Sequence, residues 1–143
     1  MTREEKKIWL DRYREALCRA KLIENELREA RLAALPGSPG LDGMPRGHGG
    51  GSVVERAVLD VARLENELRA ALDEAGRIRE EILAVIAGLP VTEYGIVRKR
   101  HLDPRCPWRG VTWQQVADSV YMSEGRTKHL YGEILDRLEV PAI

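Results

Sequence analysis

Residues 110–138 read GVTWQQVADSVYMSEGRTKHLYGEILDRL, a short amphipathic helix, a tight turn and a longer amphipathic helix. Thr112 and Gln115 stand three apart, the spacing at which each side chain satisfies a backbone N–H left open at a helix start. Val116, Ala117 and Val120 are spaced for one buried face. Ser123 is placed to cap the second helix, and Glu124 suits the positive end of its dipole. Leu130, Ile134, Leu135 and Leu138 then fall on the core side. Arg126, Lys128 and His129 lie in the first turns, the part of a helix-turn-helix that enters the major groove of DNA.

The composition leans to helix. The chain has no Phe among its 143 residues, few aromatics, and 32% charged side chains, whereas strands favour aromatic and β-branched residues. Its 23 basic and 23 acidic residues balance, which is not the basic excess typical of a nucleic-acid binder. The distribution is less even. Arg98, Lys99, Arg100, Arg105 and Arg109 stand against Asp103 alone, a local positive patch in a neutral chain. Cys18 and Cys106 lack metal-type spacing and read as free thiols in a reducing cytoplasm. No run is long and apolar enough to span a membrane, and the start MTREEKK does not read as a secretion signal.

Working toward the N-terminus, two long seams appear. Thr2 and Glu5 form a capping-box pattern, and Trp9, Tyr13, Ala16, Ala20, Ile23, Leu27, Ala30 and Ala34 then step by threes and fours. Pro36 and Gly37 stop this helix. Ser52 and Glu55 form another box, followed by Val54, Ala57, Val61, Leu64, Leu68, Ala71, Ala75, Ile78, Ile82, Val85 and Leu89. Gly88 and Pro90 end that one. Between the seams, residues 36–52 hold seven glycines and three prolines, which forbid a regular element. The segment reads as a mobile connection; the alternative is a binding loop in which Arg46 and His48 reach a partner or a phosphate. Two seams of matched length predict an antiparallel helical hairpin over residues 1–89. Leu10 and Leu17 flank the first seam, and Val58, Leu72 and Ile86 the second. This extra apolar width predicts either pairing of two hairpins into a homodimer, packing on another protein, or cover from the chain's own C-terminal helices.

Residues 92–101, TEYGIVRKRH, read as a further helix that Gly95 weakens. From Leu89-Pro90, through Arg100-His101, to VTWQQVA and MSEGRTKHLYGEILDRL, the tail resembles region 4 of the sigma-70 type transcription factors. The whole chain is similar to a phage-encoded set of sigma-like transcriptional regulators of the ArpU and RinA kind, in which two long helices flank a loop like DGMPRGHGGGS. Met44, Pro45, Arg46 and Gly47 are its most specific part, because neither a seam nor a helix-turn-helix requires them. The resemblance implies control of phage late or morphogenesis genes through double-stranded promoter DNA, with host RNA polymerase as a further partner. Two positions depart from the pattern. Tyr121 stands where the turn usually has Gly, and a bulky residue with positive φ costs about 1–2 kcal/mol, so a differently built turn is expected. The loop DPRCPWRG is longer than the usual link, which leaves the placement of the preceding helix open. Nothing resembles the promoter-melting part of a sigma factor.

Enzyme chemistry finds no support in the pattern. His48, His101, Cys106 and His129 match no zinc spacing and read as surface or linker groups. Carboxylate pairs such as Glu4-Glu5 and Glu80-Glu81 sit on helical faces, where solvated charge is the ordinary state. The sequence therefore predicts an all-α, non-enzymatic protein without metal or cofactor. Residues 1–89 form the hairpin, and residues 90–143 a helix-turn-helix domain of sigma region 4 type. Glu124, Gly125, Arg126, Lys128, His129 and Tyr131 are the expected DNA contacts of the recognition helix, with Gly125 permitting close approach. Arg98, Lys99, Arg100 and Arg109 are the expected phosphate contacts. Trp113 is expected in the core. Two other readings compete: an interaction protein docking on RNA polymerase or a sigma factor, and a phage DNA-packaging recognition subunit.

Overall fold

The computed structural model describes residues 1–35, 50–105 and 107–141. The expectations for residues 36–49, including Met44, Pro45, Arg46, Gly47 and His48, and for Cys106 fall outside them. The described residues are all-α: α1 (Arg3–Leu10), α2 (Arg12–Ala33), α3 (Gly50–Ile86), α4 (Val91–His101), α5 (Trp113–Ser119) and α6 (Glu124–Arg137). No helix among them is long and apolar enough to cross a membrane.

The Thr2 capping box forms as expected. Its hydroxyl accepts from Glu5 N at 3.2 Å, and Glu5 Oε2 accepts from Thr2 N at 2.8 Å. The single helix expected from Arg3 onward is, however, divided at Asp11. There ψ is −4° and the backbone N–H is shared between Lys7 O and Trp9 O. The Asp11 carboxylate bonds His101 at 2.9 Å and pairs with Arg14 at 3.3 Å, so tertiary contacts hold this residue where the helical ladder is disturbed. The third helix already runs from Gly50, which places Ser52 inside it rather than at its cap. Its end before Gly88 and Pro90 is as expected.

Two compact units divide the chain, and the cut does not fall at residue 89/90. Arg19–Asp73 is one; Met1–Cys18 with Glu74–Ile143 is the other. In the second, α1 packs on α6, and α4, α5 and α6 pack mutually. Trp9, Leu10 and Tyr13 share a buried cluster with Ile82, Ile86, Ile96, Val116, Tyr131, Ile134 and Leu138. The N-terminal helix therefore belongs to the same core as the C-terminal helices, which a linear reading assigns to a separate domain. Arg3 and Lys6 of α1 tie it to α6: Arg3 bonds Asp136, and Lys6 Nζ donates to Leu135 O at 2.6 Å. Arg137 of α6 pairs with Glu93 of α4 at 2.5 Å.

In the Arg19–Asp73 unit, Ala20, Leu27 and Leu64 are buried, and Arg31 pairs with Glu65 at 3.3 Å. Leu22, Leu32, Leu35, Val58, Leu59 and Leu72 are exposed. The flank of the seams thus has two fates. Leu10 and Ile86 are fully buried by the C-terminal helices' unit, whereas Val58 and Leu72 remain open to solvent.

This arrangement predicts that Leu10→Ala costs about 2–5 kcal/mol, while Leu59→Ala changes stability by no more than about 0.5 kcal/mol. Guanidinium unfolding followed by circular dichroism measures both. A Leu10→Ala effect as small as that of Leu59→Ala would remove α1 from the core.

Candidate nucleic-acid interface

The α5–α6 segment is built by its caps. Thr112 Oγ1 accepts from Gln115 N at 3.2 Å, and Gln115 Oε1 accepts from Thr112 N at 2.9 Å. Val116 and Ala117 are buried. The chain then turns through Val120, Tyr121 and Met122, with Met122 N donating to Ala117 O at 3.1 Å. Tyr121 carries φ of +58°, so the turn keeps the left-handed residue rather than being built differently. Its side chain is 96% exposed, which leaves only the local Cβ–backbone conflict to bear. Ser123 accepts from Arg126 N at 3.3 Å, and Thr127 Oγ1 donates to Ser123 O at 2.7 Å. Gly95 of α4 has its own reason: a Cβ there would lie 3.3 Å from Val120 Cγ1.

Helix α6 buries Thr127, Tyr131, Ile134 and Leu135 and presents Gly125, Arg126, Lys128 and His129 to solvent. Glu124 pairs with Lys128, and Glu133 with His129, each at 3.2 Å. The Arg126 guanidinium has no ion-pair or hydrogen-bond partner among the described residues. Arg109, in the loop before α5, is exposed, and Trp108 beside it is 61% exposed.

Three of the expected contacts are corrected by the packing. Tyr131 is buried, and its hydroxyl lies 2.6 Å from His101 Nε2, so it faces the core and not a groove. Arg100 lies 4.4 Å over the Trp113 ring and donates to Val111 O, which joins α4 to the entrance of α5 and engages the guanidinium internally. Lys99 bonds Asp103 at 2.7 Å and is mostly covered. Arg98 remains exposed, with Nη1 2.7 Å from Tyr94 Oη. The positive patch of the sequence is therefore thinner in space. Hydrogen bonds from Arg105, and also from Lys99, hold the Asp103 carboxyl well below the usual carboxylate range, so that acid stays ionised among them. Trp113 is packed edge-on to Tyr131 at 4.8 Å, in keeping with its core assignment.

His101 is buried rather than a surface group. Burial pushes its pKa below the ordinary value. Burial alone would raise Asp11, yet the hydrogen bond with His101 leaves it lowered. An ionised Asp11 accepts only, so Nδ1–H donates to it and Nε2 accepts from Tyr131 O–H. Burial raises the Tyr131 pKa, which keeps the hydroxyl protonated for that bond. No periodicity in the sequence signals this chain of bonds, because its members are 90 and 30 residues apart. Among the described residues, no group of three or more His, Cys, Asp or Glu side chains is placed to hold a metal ion.

Comparisons with protein-family models, curated proteins and solved structures find no match to this chain.

Two outcomes follow from the buried bonds. Tyr131→Phe leaves His101 Nε2 without a donor and should cost about 1–3 kcal/mol, read from denaturant unfolding. Since the folded His101 pKa lies below its unfolded value of about 6.5, the unfolded chain takes the proton first. Stability is complete above that value and declines as pH falls through the window beneath it. An unfolding midpoint equal at pH 7.5 and pH 5.5 would contradict a neutral, buried His101.

Proposed function

We propose that the unit containing α4–α6 binds duplex DNA as a helix-turn-helix, with α6 as the recognition helix, and that the chain is a regulator of phage transcription acting at promoter DNA. The observation that carries this reading is the partnerless Arg126 guanidinium. It stands beside Gly125 in the first turn of a capped helix whose opposite face is fixed in a core. A helix so held offers donors at its N-terminal end, and arginine forks match guanine edges and phosphates alike. Gly125 removes side-chain bulk there, and Arg98, Arg109 and Trp108 lie exposed on the flanking segments. The left-handed turn residue between α5 and α6 agrees with the sigma region 4 resemblance of the tail, although tyrosine replaces glycine. The expected pairing of the two long helices has one ion pair in its support within each unit, Arg12 with Glu81 in one and Arg31 with Glu65 in the other.

A second reading is favoured by a different observation. Lys128 and His129 are matched by Glu124 and Glu133, while Val91 and Tyr121 expose large apolar surface. A protein partner, such as RNA polymerase or a sigma factor, suits a neutral surface with exposed apolar groups better than a polyanion does.

Selection of bound sequences from a random duplex library, at two salt concentrations and beside the Arg126→Ala/Lys128→Ala variant, separates the two. DNA reading predicts an enriched motif that the double variant loses. Binding that enriches nothing and disappears with modest salt is phosphate attraction alone, and transfers the proposal to the protein partner.

A further inference from the structure

The outward stripe of α6 is unusual for what it lacks. Gly125, His129, Gly132 and Asp136 follow one another at the i, i+4, i+7, i+11 spacing of a single helical face. Two of the four positions have no side chain. At Gly132 the vacancy is filled from elsewhere. A Cβ there would meet Arg3 Nη1 at 2.9 Å and Arg3 Cζ at 3.4 Å. Arg3 comes from the first turn of α1, yet its guanidinium lies on α6 where the helix's own third-turn side chain would project. It is held in place from one edge: Nε donates to Asp136 Oδ1 at 2.6 Å and Nη2 to Asp136 Oδ2 at 2.5 Å. A guanidinium has five N–H donors. These two bonds leave both hydrogens on Nη1 and one on Nη2 unused by Asp136. Arg3 is 54% exposed at its side chain. Lys6 anchors α1 to α6 beside it through Leu135 O, so the arginine is presented on a fixed support.

We infer that Arg3 is a DNA-contacting residue of the interface, a donor lent to α6 by α1, with Gly132 making room for it and Asp136 fixing its orientation. The inference rests on the proposed DNA-binding reading and extends it to a residue that no helix-turn-helix pattern includes. The ordinary alternative is a surface ion pair that only secures α1. Such a pair is worth little and gives no reason for a glycine beneath it.

The test uses the full-length protein and a labelled duplex carrying the sequence enriched in the selection. Fluorescence anisotropy is followed across a salt series, and thermal unfolding is recorded for each variant. Arg3→Ala is expected to weaken binding by about 3- to 10-fold and to lower the salt slope by about one, as loss of one phosphate-neutralising cation does, with a thermal midpoint close to that of the wild type. A loss confined to one base position of the enriched motif also supports the inference and assigns the contact to a base edge. Gly132→Ala, which displaces the guanidinium, should weaken binding in the same sense. Unchanged affinity and slope in Arg3→Ala, with binding lost in Arg126→Ala, overturns this inference and leaves DNA reading by α6 intact. Weaker binding with an unchanged slope and a lowered midpoint assigns Arg3 to support of α1 and overturns it too. A wild type that enriches no sequence overturns the DNA-binding reading itself.

Discussion

His101 donates from Nδ1 to Asp11 and accepts at Nε2 from Tyr131, and the placing of α1 and α6 on α4 depends on that chain, which is buried at His101 and Tyr131 and part-exposed at Asp11. Each member belongs to a different element: Asp11 to the junction of α1 and α2, His101 to the end of α4, Tyr131 to the middle of α6. A polar chain in a low-dielectric core strengthens bonds that are made and penalises any that are not. The alternatives open to these helices are therefore few. Rotating α6 by one residue would leave His101 Nε2 bare, and sliding α1 would leave Asp11 without its donor. The apolar cluster around Trp9, Leu10, Ile86 and Ile134 supplies most of the driving force, and the polar chain selects one register from those the apolar side chains alone would tolerate.

This constraint explains why α1 ends at Asp11 and why it lies on α6. A helix with the Trp9–Tyr13 spacing has no local reason to break at an aspartate. The break follows from holding Asp11 between His101 and Arg14 while Trp9 and Leu10 stay buried. Once α1 lies there, Arg3 and Lys6 fall beside the last turns of α6, where a lysine meets an open carbonyl and an arginine meets Asp136. The first turns of α6, capped by Ser123, are left uncovered. The last turns of α6 thus carry the contacts with α1, the half-exposed Arg3 among them, and the first turns keep Gly125, Arg126, Lys128 and His129 in solvent.

Much of this was legible in the residues, for local reasons. Capping boxes at Thr2 and Thr112 and the cap at Ser123 are decided within four residues, and the seams by steps of three and four. The caps form at those residues, while the first seam is divided at Asp11 into α1 and α2. What escaped is long-range. Tyr131 is among the contacts expected of the recognition helix, but at 3.6 residues per turn it shares the buried face of Thr127 and Ile134. Arg100 was read as a phosphate contact because it sits among cations, and its ring and carbonyl partners, Trp113 and Val111, lie beyond a loop. The Ser52 box failed differently: its spacing is sound, but the helix extends to Gly50 and takes Ser52 inside. Arg3 carries no local signal at all, since its partners are a glycine and an aspartate near the far end of the chain.

In the proposed function the unit that holds α1 and α4–α6 contacts the duplex, and the Arg19–Asp73 unit takes no part in binding it. Amide hydrogen exchange of the full chain, with and without the selected duplex, tests this most directly. The expected result is slowed exchange concentrated in the loop before α5, the α5–α6 turn and the first turns of α6, with residues 19–35 and 53–73 unchanged. Slowed exchange confined to those two stretches, with the α5–α6 segment unaffected, would contradict it and place the nucleic acid on the long helices instead.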